Sequence, residues 1–200
     1  MIADCTAIIL AGGESRRMGC DKATLQLGEQ RLVNHVADAL RAVFQTLFLS
    51  VRQPRPDIEL PQICDQHAAA GPLAGLFAAL ETSSTPWIFT VATDMPFIKP
   101  ALIEFLASKR SNYQAVVPRV NGFAQPLAAF YSKSCLLAIG KLLADSGGRR
   151  SLRAALEQLN VCYVDESELL AADPELKSFF DLDTPQDLAQ ASDETGRKGL

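Results

Sequence analysis

The sequence predicts an α/β protein, a single three-layer α/β/α domain built around a mainly parallel sheet. Strand-like and helix-like segments alternate through the first half of the chain, the order that gives parallel strands with helical crossovers. The strand-like segments are uninterrupted apolar runs, as expected for strands covered by helices on both faces. The 200 residues, 48% hydrophobic and 21% charged, suffice for one such domain with a substantial core.

The elements of the first half follow from local signals. Short β-branched and aromatic runs indicate strands, apolar residues at helical spacing indicate helices, and a proline in the first turn marks a helix start. Polar stretches bounded by glycine or rich in proline indicate loops at 14–28 and 52–61. The predicted strands are 6–10, 47–51 and 87–92, and the predicted helices are 32–43, 72–80 and 100–108.

The second half is less regular. Asn121-Gly122 is a hairpin-type dipeptide, which predicts a turn between two strand-like runs. The last helix has Pro185 at its start and takes Asp183 or Thr184 as its N-cap. The predicted strands are 115–118, 123–131, 161–164 and 179–182, the predicted helices are 133–143, 150–159 and 184–191, and a frayed polar tail is predicted at 193–200.

Composition argues against several classes of function. With 19 Lys+Arg against 23 Asp+Glu, the formal net charge is −4, unlike a general binder of nucleic acid or anionic membranes. No apolar stretch approaches about 18 residues, and the N-terminus lacks the basic region of a signal peptide. Five widely spaced cysteines without a CxxC pair, and only two histidines, disfavour disulfides and zinc. A reduced, cytoplasmic protein is the simplest interpretation.

One edge of the predicted sheet is the expected ligand-binding edge. The carboxyl ends of parallel strands share one edge, and ligands of open α/β sheets bind outside it. The loop that follows Leu10 and the turn at Asp94 both come directly after predicted strands. We therefore expect these two segments to meet.

The loop after Leu10 has the composition of a polyphosphate site. Glycines let the backbone approach a ligand, successive amides can form an anion-binding nest, and three basic side chains outweigh two acidic ones. The loop is not a P-loop, since Gly-Lys-Ser/Thr is missing, nor a dinucleotide fingerprint, since GxGxxG is missing. The alternative is an exposed loop with solvated charges. The residues concerned are Gly12, Gly13, Arg16, Arg17 and Lys22.

Two carboxylates are candidates for binding magnesium. Asp94 follows a strand and precedes a proline-stiffened turn, and Asp183 lies two residues after Asp181 on a strand-like segment, so that these two share a face. Mg²⁺ needs few protein oxygens and takes its other ligands from water and phosphate. For Asp94 alone a plain Asx turn is the more frequent explanation. For Asp183 a helix N-cap is slightly favoured, although capping and metal binding can coexist.

These residues resemble the signature of a known family. The segment 10–22, Leu-Ala-Gly-Gly-Glu-Ser-Arg-Arg-Met-Gly-Cys-Asp-Lys, is similar to the signature loop of nucleotidyltransferases with a glycosyltransferase-A-like Rossmann fold, and within them looks most like the MobA-type molybdenum cofactor guanylyltransferases. The match continues in order over most of the chain, so the set is far more specific than any one motif. The further motifs are Gly71-Pro72-Leu73-Ala74-Gly75, Thr93-Asp94-Met95-Pro96-Phe97, Gln125-Pro126-Leu127 and Asp183-Thr184-Pro185-Gln186-Asp187-Leu188.

The resemblance implies a reaction. GMP passes from GTP to the phosphate of molybdenum-loaded molybdopterin, pyrophosphate leaves, and Mg²⁺ assists in-line attack at the α-phosphorus. We expect one domain over 1–192, with the nucleotide held by 1–110 and the acceptor by 111–192. The expected partners of a monomeric enzyme are GTP and molybdenum-molybdopterin, with molybdoenzyme maturation proteins as further candidates, and neither nucleic acid nor membrane.

The resemblance and the local chemistry together assign roles to individual residues. Lys22, Arg16 and Asp94 are the expected catalytic residues, and Asp94 and Asp183 are the candidate metal ligands. The expected nucleotide-binding residues are Leu10, Ala11, Gly12, Gly13, Lys22, Ser50, Asp65 and Asp94.

Two positions depart from the family pattern. Ser50 stands where the family can carry a nucleotide-contacting Asn, and Asp181-Leu182-Asp183 replaces a frequent Asn-x-Asn, a change shared with cytidylyltransferase-like relatives. Gly12-Gly13 points the other way, because cytidine-using relatives tend to show Leu-Ala-Ala-Gly and a glycine leaves room for a purine. Guanine is therefore the favoured base.

Several alternatives remain open: a cytidylyltransferase acting on the same pterin, a sugar-phosphate nucleotidyltransferase, and a non-catalytic GTP-binding module that delivers the cofactor. Sugar enzymes of this fold are usually longer, and docking alone does not require both Lys22 and Asp94. The pterin itself is expected over the second half of the chain, near Gln125 and the basic glycine loop at 147–150.

Overall fold

The structure, a computed structural model, describes residues 1–11, 22–65, 71–145 and 147–197, with side chains through residue 192. The strands are β1 (Cys5–Leu10), β2 (Gln26–Leu27), β3 (Gln30–Arg31), β4 (Thr46–Val51), β5 (Gln62–Cys64), β6 (Trp87–Ala92), β7 (Ala115–Val120), β8 (Phe123–Ala124), β9 (Ala129–Ser132) and β10 (Val161–Val164). The α-helices are α1 (Leu32–Arg41), α2 (Pro72–Thr82), α3 (Pro100–Ser108), α4 (Leu136–Ala144), α5 (Leu152–Leu156), α6 (Glu166–Leu169) and α7 (Pro185–Arg197).

The central sheet has the strand order β10-β7-β9-β6-β1-β4-β5, with the short β8 paired to β7. β9 runs antiparallel between β6 and β7, whereas the pairs β1–β4, β1–β6, β4–β5 and β7–β10 are parallel. Leu10 lies opposite both Ser50 and Ala92, so β1, β4 and β6 end level with one another. The predicted mainly parallel sheet is therefore confirmed, and the carboxyl ends of its first strands form one continuous edge.

Two helical layers cover the sheet. Alternate residues of β1 point to opposite faces: Ala7 and Ile9 join a buried cluster with α1, α3 and α6, and Ile8 and Leu10 join a second with α2, α4 and α5. Every residue of β1 is buried. This burial on both sides is the physical reason why the strand reads as an unbroken apolar run.

A smaller unit lies beside the carboxyl edge. β2 and β3 form an antiparallel hairpin, with Gly28 in the left-handed region (φ 63°) at its turn. The hairpin falls partly inside the stretch 14–28 that we expected to be a loop, and that prediction is wrong for its strand residues. α7 packs on this hairpin through a third buried cluster that includes Leu27, Leu182 and Ala191.

Some predicted boundaries in the second half are wrong. The run 179–182 is no strand: Lys177–Phe179 is a 3-10 turn, and the apolar residues that follow pack on α7 and Phe97 instead of pairing in a sheet. The run 123–131 is interrupted after β8, where the Gln125 N–H donates to the Pro118 carbonyl at 2.8 Å. The helix expected over 150–159 is only α5, and the last helix continues beyond 193 to Arg197.

The described cysteines are free thiols. Cys5 and Cys135 are fully buried in the core, where they fill small apolar spaces, and burial raises the pKa of the Cys135 thiol to about 12. Within the described ranges, no helix is long and apolar enough to cross a membrane.

Candidate active site

Hydrogen bonds from the backbone and from one side chain join the strand ends at the carboxyl edge. The Ala11 N–H donates to the Ser50 carbonyl at 3.0 Å, and the Leu10 carbonyl accepts from the Thr93 hydroxyl at 3.1 Å. The segments that follow β1, β4 and β6 are thus held side by side. The expected meeting of the loop after Leu10 with the Asp94 turn is confirmed for the described residues.

Lys22 lies between two carboxylates at this edge. Its Nζ donates to Asp94 Oδ2 at 2.7 Å and to Asp183 Oδ1 at 2.5 Å. Partial withdrawal from solvent lowers the pKa of Lys22, but hydrogen bonds and charge from the two carboxylates outweigh it and raise the pKa above its ordinary value. Residues separated by 72 and 161 positions in the chain therefore form one charged cluster.

The C-terminal segment reaches this cluster through a backbone contact. The Leu182 N–H donates to the Asp94 carbonyl at 3.0 Å, and the Leu182 side chain is fully buried. A buried anchor on one side of Asp183 thus holds its backbone next to the turn after β6. Sequence reasoning could not foresee this contact, because the segment does not belong to any strand.

The N-terminus of α7 is capped by Thr184 and not by Asp183. The Thr184 hydroxyl accepts from the Asp187 N–H at 3.2 Å, and the Asp187 carboxylate accepts from the Thr184 N–H at 2.7 Å. This reciprocal pair is a capping box. The slight preference for Asp183 as the cap is therefore wrong, and the Asp183 carboxylate accepts from Lys22 instead.

Asp181 adds a third carboxyl group to the neighbourhood. Desolvation, followed by the negative charges of Asp94 and Asp183, raises the pKa of Asp181 to about 6. The residue as a whole is exposed, so its carboxyl lies at the rim of the cluster and not in the core. Two aspartates were expected to share a strand face, but here an irregular segment brings them near Asp94.

Ser50 and Gly75 pack closely against each other where β4 ends at the carboxyl edge. Ser50 is buried, and α2 packs so closely over it that a Cβ built on Gly75 would lie 2.6 Å from Ser50 Oγ and 3.1 Å from Leu10 Cδ2. Gly75 is thus required by a close approach of α2 to β1 and β4. Gly75 belongs to the motif Gly71-Pro72-Leu73-Ala74-Gly75, whose sequence alone does not indicate this packing role.

Asp65 lies further along the same edge. It directly follows β5, and its N–H donates to the Val51 carbonyl at 3.1 Å. β5 is two strands away from β1, a separation of about 10 Å. Gly71, in the left-handed region with φ 52°, directly precedes α2 at Pro72.

Other expected residues are either elsewhere on the edge or outside the described ranges. α4 follows the antiparallel β9, so it returns to the carboxyl edge, where Asp145 accepts from the Gly147 N–H at 3.0 Å and the Asp145 carbonyl accepts from Arg150 Nε at 2.9 Å. Gln125 lies in the turn between β8 and β9. Gly12, Gly13, Arg16 and Arg17 lie outside the described residues.

The carboxylates of Asp94 and Asp183 suit a hard divalent cation that takes its other oxygen ligands from a bound phosphate and from water. Over the ranges that the structure describes, no three His, Cys, Asp or Glu side chains converge as a complete metal cage. Asp94 and Asp183 nevertheless place two carboxylate oxygens around one cationic nitrogen. Two carboxylates completed by phosphate and water oxygens match the preference of Mg²⁺, which keeps several waters and seldom binds in an all-protein cage.

Comparison with known proteins identifies the family. The MobA-like NTP transferase domain matches residues 7–161. A probable molybdenum cofactor guanylyltransferase from Pelotomaculum thermopropionicum is 38% identical over 189 residues, covering 93% of this chain and 91% of the relative. Molybdopterin-guanine dinucleotide biosynthesis protein A from Archaeoglobus fulgidus superposes with a TM-score of 0.84 at 28% identity, covering 96% of this chain and 99% of that one.

The fold extends to enzymes that use another base. A 2-C-methyl-D-erythritol 4-phosphate cytidylyltransferase from Thermus thermophilus superposes with a TM-score of 0.66 at 17% identity, covering 94% of this chain and 98% of that one, a likeness of fold alone. By contrast, the family model matches residues 7–161, and the Pelotomaculum relative is 38% identical over 93% of this chain, so these two likenesses are of sequence as well as fold. The chain belongs to the MobA-like NTP transferase family.

Proposed function

We propose that this protein transfers GMP from GTP to the phosphate of molybdenum-loaded molybdopterin, giving the guanine dinucleotide form of the cofactor and pyrophosphate. The observation that carries the proposal is the convergence of Lys22, Asp94 and Asp183 at the carboxyl edge of a MobA-like fold. The names of the relatives, molybdenum cofactor guanylyltransferases, support the choice of substrates.

The chemistry at phosphorus needs positioning and charge neutralisation, not a covalent enzyme group. An oxygen of the pterin phosphate forms a bond to the α-phosphorus of GTP, the bond from that phosphorus to the bridging oxygen breaks, and the electron pair leaves with pyrophosphate. Asp94 and Asp183 would hold Mg²⁺, which when bound neutralises charge on the phosphate oxygens. Lys22 and Arg16, with the amides of Gly12 and Gly13, would hold the triphosphate.

The base is assigned to the side of the edge that runs from β1 to β5. Leu10, Ala11, Ser50 and Asp65 lie along it, and Asp65 supplies a carboxylate that can accept from the amino and ring N–H groups of guanine. The acceptor pterin is assigned to the other half of the edge, towards Gln125 and the loop at 147–150. This division places the two reactants on either side of Asp94, and in-line attack further requires that the pterin phosphate approach the α-phosphorus from the side opposite the leaving pyrophosphate.

The proposal also includes the cellular compartment and the oligomeric state. GTP and a reduced cofactor precursor, together with the free thiols at the described cysteines, favour the cytoplasm. A monomer that exchanges molybdenum-molybdopterin with maturation proteins is the simplest working form.

The decisive experiment measures pyrophosphate release from GTP, CTP and ATP, with Mg²⁺ and molybdenum-loaded molybdopterin supplied. We expect release with GTP alone. Release with CTP alone would retain the mechanism and overturn the assigned base. Binding of GTP without release from any nucleotide would overturn catalysis and favour a cofactor-delivery module. Omitting the pterin is the control for simple hydrolysis.

A further inference from the structure

The ammonium group of Lys22 occupies the position of a cation. One oxygen of Asp94 and one oxygen of Asp183 lie within 2.7 Å of the same lysine nitrogen. A cation held jointly by Asp94 and Asp183 would have to lie at about the same point. Lys22 and a divalent cation therefore cannot occupy the carboxylate pair together, because their charges repel at such short range.

The carboxylate pair is held in place independently of Lys22. The Leu182 N–H donates to the Asp94 carbonyl, and the capping box of Thr184 and Asp187 fixes the first turn of α7 directly after Asp183. The Asp187 carboxylate also accepts from the Asp183 N–H at 3.1 Å. The backbone on both sides of Asp183 is thus held by contacts in which Lys22 takes no part.

Lys22 by contrast can move its charged group. Its side chain is 19% exposed and carries the ammonium on a flexible four-carbon stem, whereas Asp183, at 49% exposed, opens to solvent on its other side. Rotation about the lysine stem moves Nζ by several ångströms without any change in the backbone. Among the described residues of the cluster, the lysine side chain is therefore the part that can move, whereas the backbone beside Asp183 is anchored.

We propose that Lys22 serves as the resident counter-ion of the Asp94–Asp183 pair and leaves it when the pair binds a divalent cation, so that the ammonium becomes available to the nucleotide phosphates. The inference rests on the metal role proposed for the two aspartates. It makes Lys22 an internal competitor of the free metal ion. Metal and nucleotide then favour each other, because the phosphates give the displaced ammonium a new partner.

The test measures Mn²⁺ binding without any nucleotide, by the electron paramagnetic resonance signal of the free ion. Lys22→Met keeps the length and apolar stem of the side chain and removes its charge. We expect Lys22→Met to bind Mn²⁺ more tightly than the unmodified protein, on the order of tenfold, because a charged hydrogen-bond partner no longer has to be displaced. The double variant Lys22→Met/Asp183→Asn should lose that gain.

The matched control is Lys109→Met. Lys109 pairs with the single carboxylate of Glu168 at 2.6 Å on the surface, so its removal changes the net charge of the protein equally. Mn²⁺ affinity should be unchanged in this variant. An equal gain in Mn²⁺ affinity in both lysine variants would show that the net charge of the protein, and not the position of Lys22, causes the effect, which would overturn the proposal. An unchanged or weaker Mn²⁺ affinity in Lys22→Met would also overturn it.

A second measurement follows Lys22 directly. Adding Mg²⁺ without nucleotide to protein labelled with ¹³C at the lysine ε-carbons should shift the Lys22 resonance, which is identified by its absence in Lys22→Met. A Lys22 resonance that stays in place at Mg²⁺ saturation would also contradict the exchange. Neither measurement uses GTP or the pterin, so failure of the transferase assay and failure of this inference give separate results.

Discussion

At the scale of single residues, substitutions of Lys22 and Asp94 are expected to affect different quantities, nucleotide affinity for Lys22 and turnover for Asp94. Lys22→Ala should weaken GTP binding by about 1.5–3 kcal/mol, since one charged hydrogen bond to phosphate is lost. Titration calorimetry measures this loss of GTP affinity. The loss contrasts with the gain in Mn²⁺ affinity that we expect when the same charge is removed. An unchanged affinity for GTP would show that Lys22 is not a phosphate contact.

Asp94→Asn is expected to reduce the rate of pyrophosphate release by roughly 10²–10³, because a carboxylate that would hold the metal becomes a neutral amide. The readout is kcat at saturating GTP and Mg²⁺. Asp38→Asn is a suitable control, since its carboxylate lies on the surface of α1 and pairs there with the exposed Arg41. Full Mg²⁺-dependent turnover in Asp94→Asn would rule out the metal assignment.

The close packing of Gly75 against Ser50 at the carboxyl edge of the sheet provides a prediction about stability. Gly75→Ala should lower the free energy of unfolding by about 1–3 kcal/mol, since the added methyl group would lie 2.6 Å from Ser50 Oγ. Urea unfolding measures the change. Ser50→Ala/Gly75→Ala should recover part of the loss by removing the hydroxyl group. If the double variant is no more stable than Gly75→Ala, the steric explanation is incorrect.

At the scale of secondary-structure elements, the capping box at the start of α7 supports both stability and the site. Thr184→Ala should cost about 1 kcal/mol of unfolding free energy, because the Asp187 N–H loses its acceptor. Thr184→Ser keeps a hydroxyl group and is the conservative control. Equal losses in the two variants would mean that the methyl group of Thr184, and not its hydroxyl, is what stabilises the helix.

Element prediction succeeded where local pattern and burial agree. The parallel strands β1, β4, β6, β7 and β10 and the helices that begin at Pro72 and Pro100 agree closely with their predicted bounds, because apolar runs and proline starts are local signals, whereas the three-residue β5 is missing from the predicted strands. The run 179–182 failed because its apolar residues are buried against α7 and Phe97, and sequence alone does not reveal whether burial comes from a sheet or from a helix. The position of Asp183 beside Lys22 depends on that segment.

At the scale of the whole molecule, Asp173 links the C-terminal segment to α3 and makes stability depend on pH. Its carboxylate is fully buried, pairs with Lys99 at 2.6 Å and accepts from the Ser178 N–H at 2.8 Å. Burial alone would raise the pKa of Asp173, but Lys99 and the Ser178 hydrogen bonds outweigh it and hold the pKa below its ordinary value.

The sign of the pH dependence follows from that lowered pKa. The pKa of this carboxyl is about 3.9 in the unfolded chain and lower in the native protein. Because the unfolded chain therefore binds the proton more readily, the stabilisation is complete above about pH 3.9 and is lost as the pH falls through the native pKa. Asp173→Asn should therefore be less stable than the unmodified protein near neutral pH, by about 1–3 kcal/mol, and the gap should narrow in acid. Urea unfolding across the acidic range tests this, and a constant gap would contradict it.

The sequence by itself determined the α/β class, the parallel sheet and the family, because these depend on local periodicity and on residues close together in the chain. It also pointed to Lys22, Asp94 and Asp183 separately. Only the tertiary structure decided that Asp94 and Asp183 share one lysine and that Thr184 caps α7. The physical reason is that such contacts join residues far apart in the chain, whose approach depends on how the sheet and its covering helices pack.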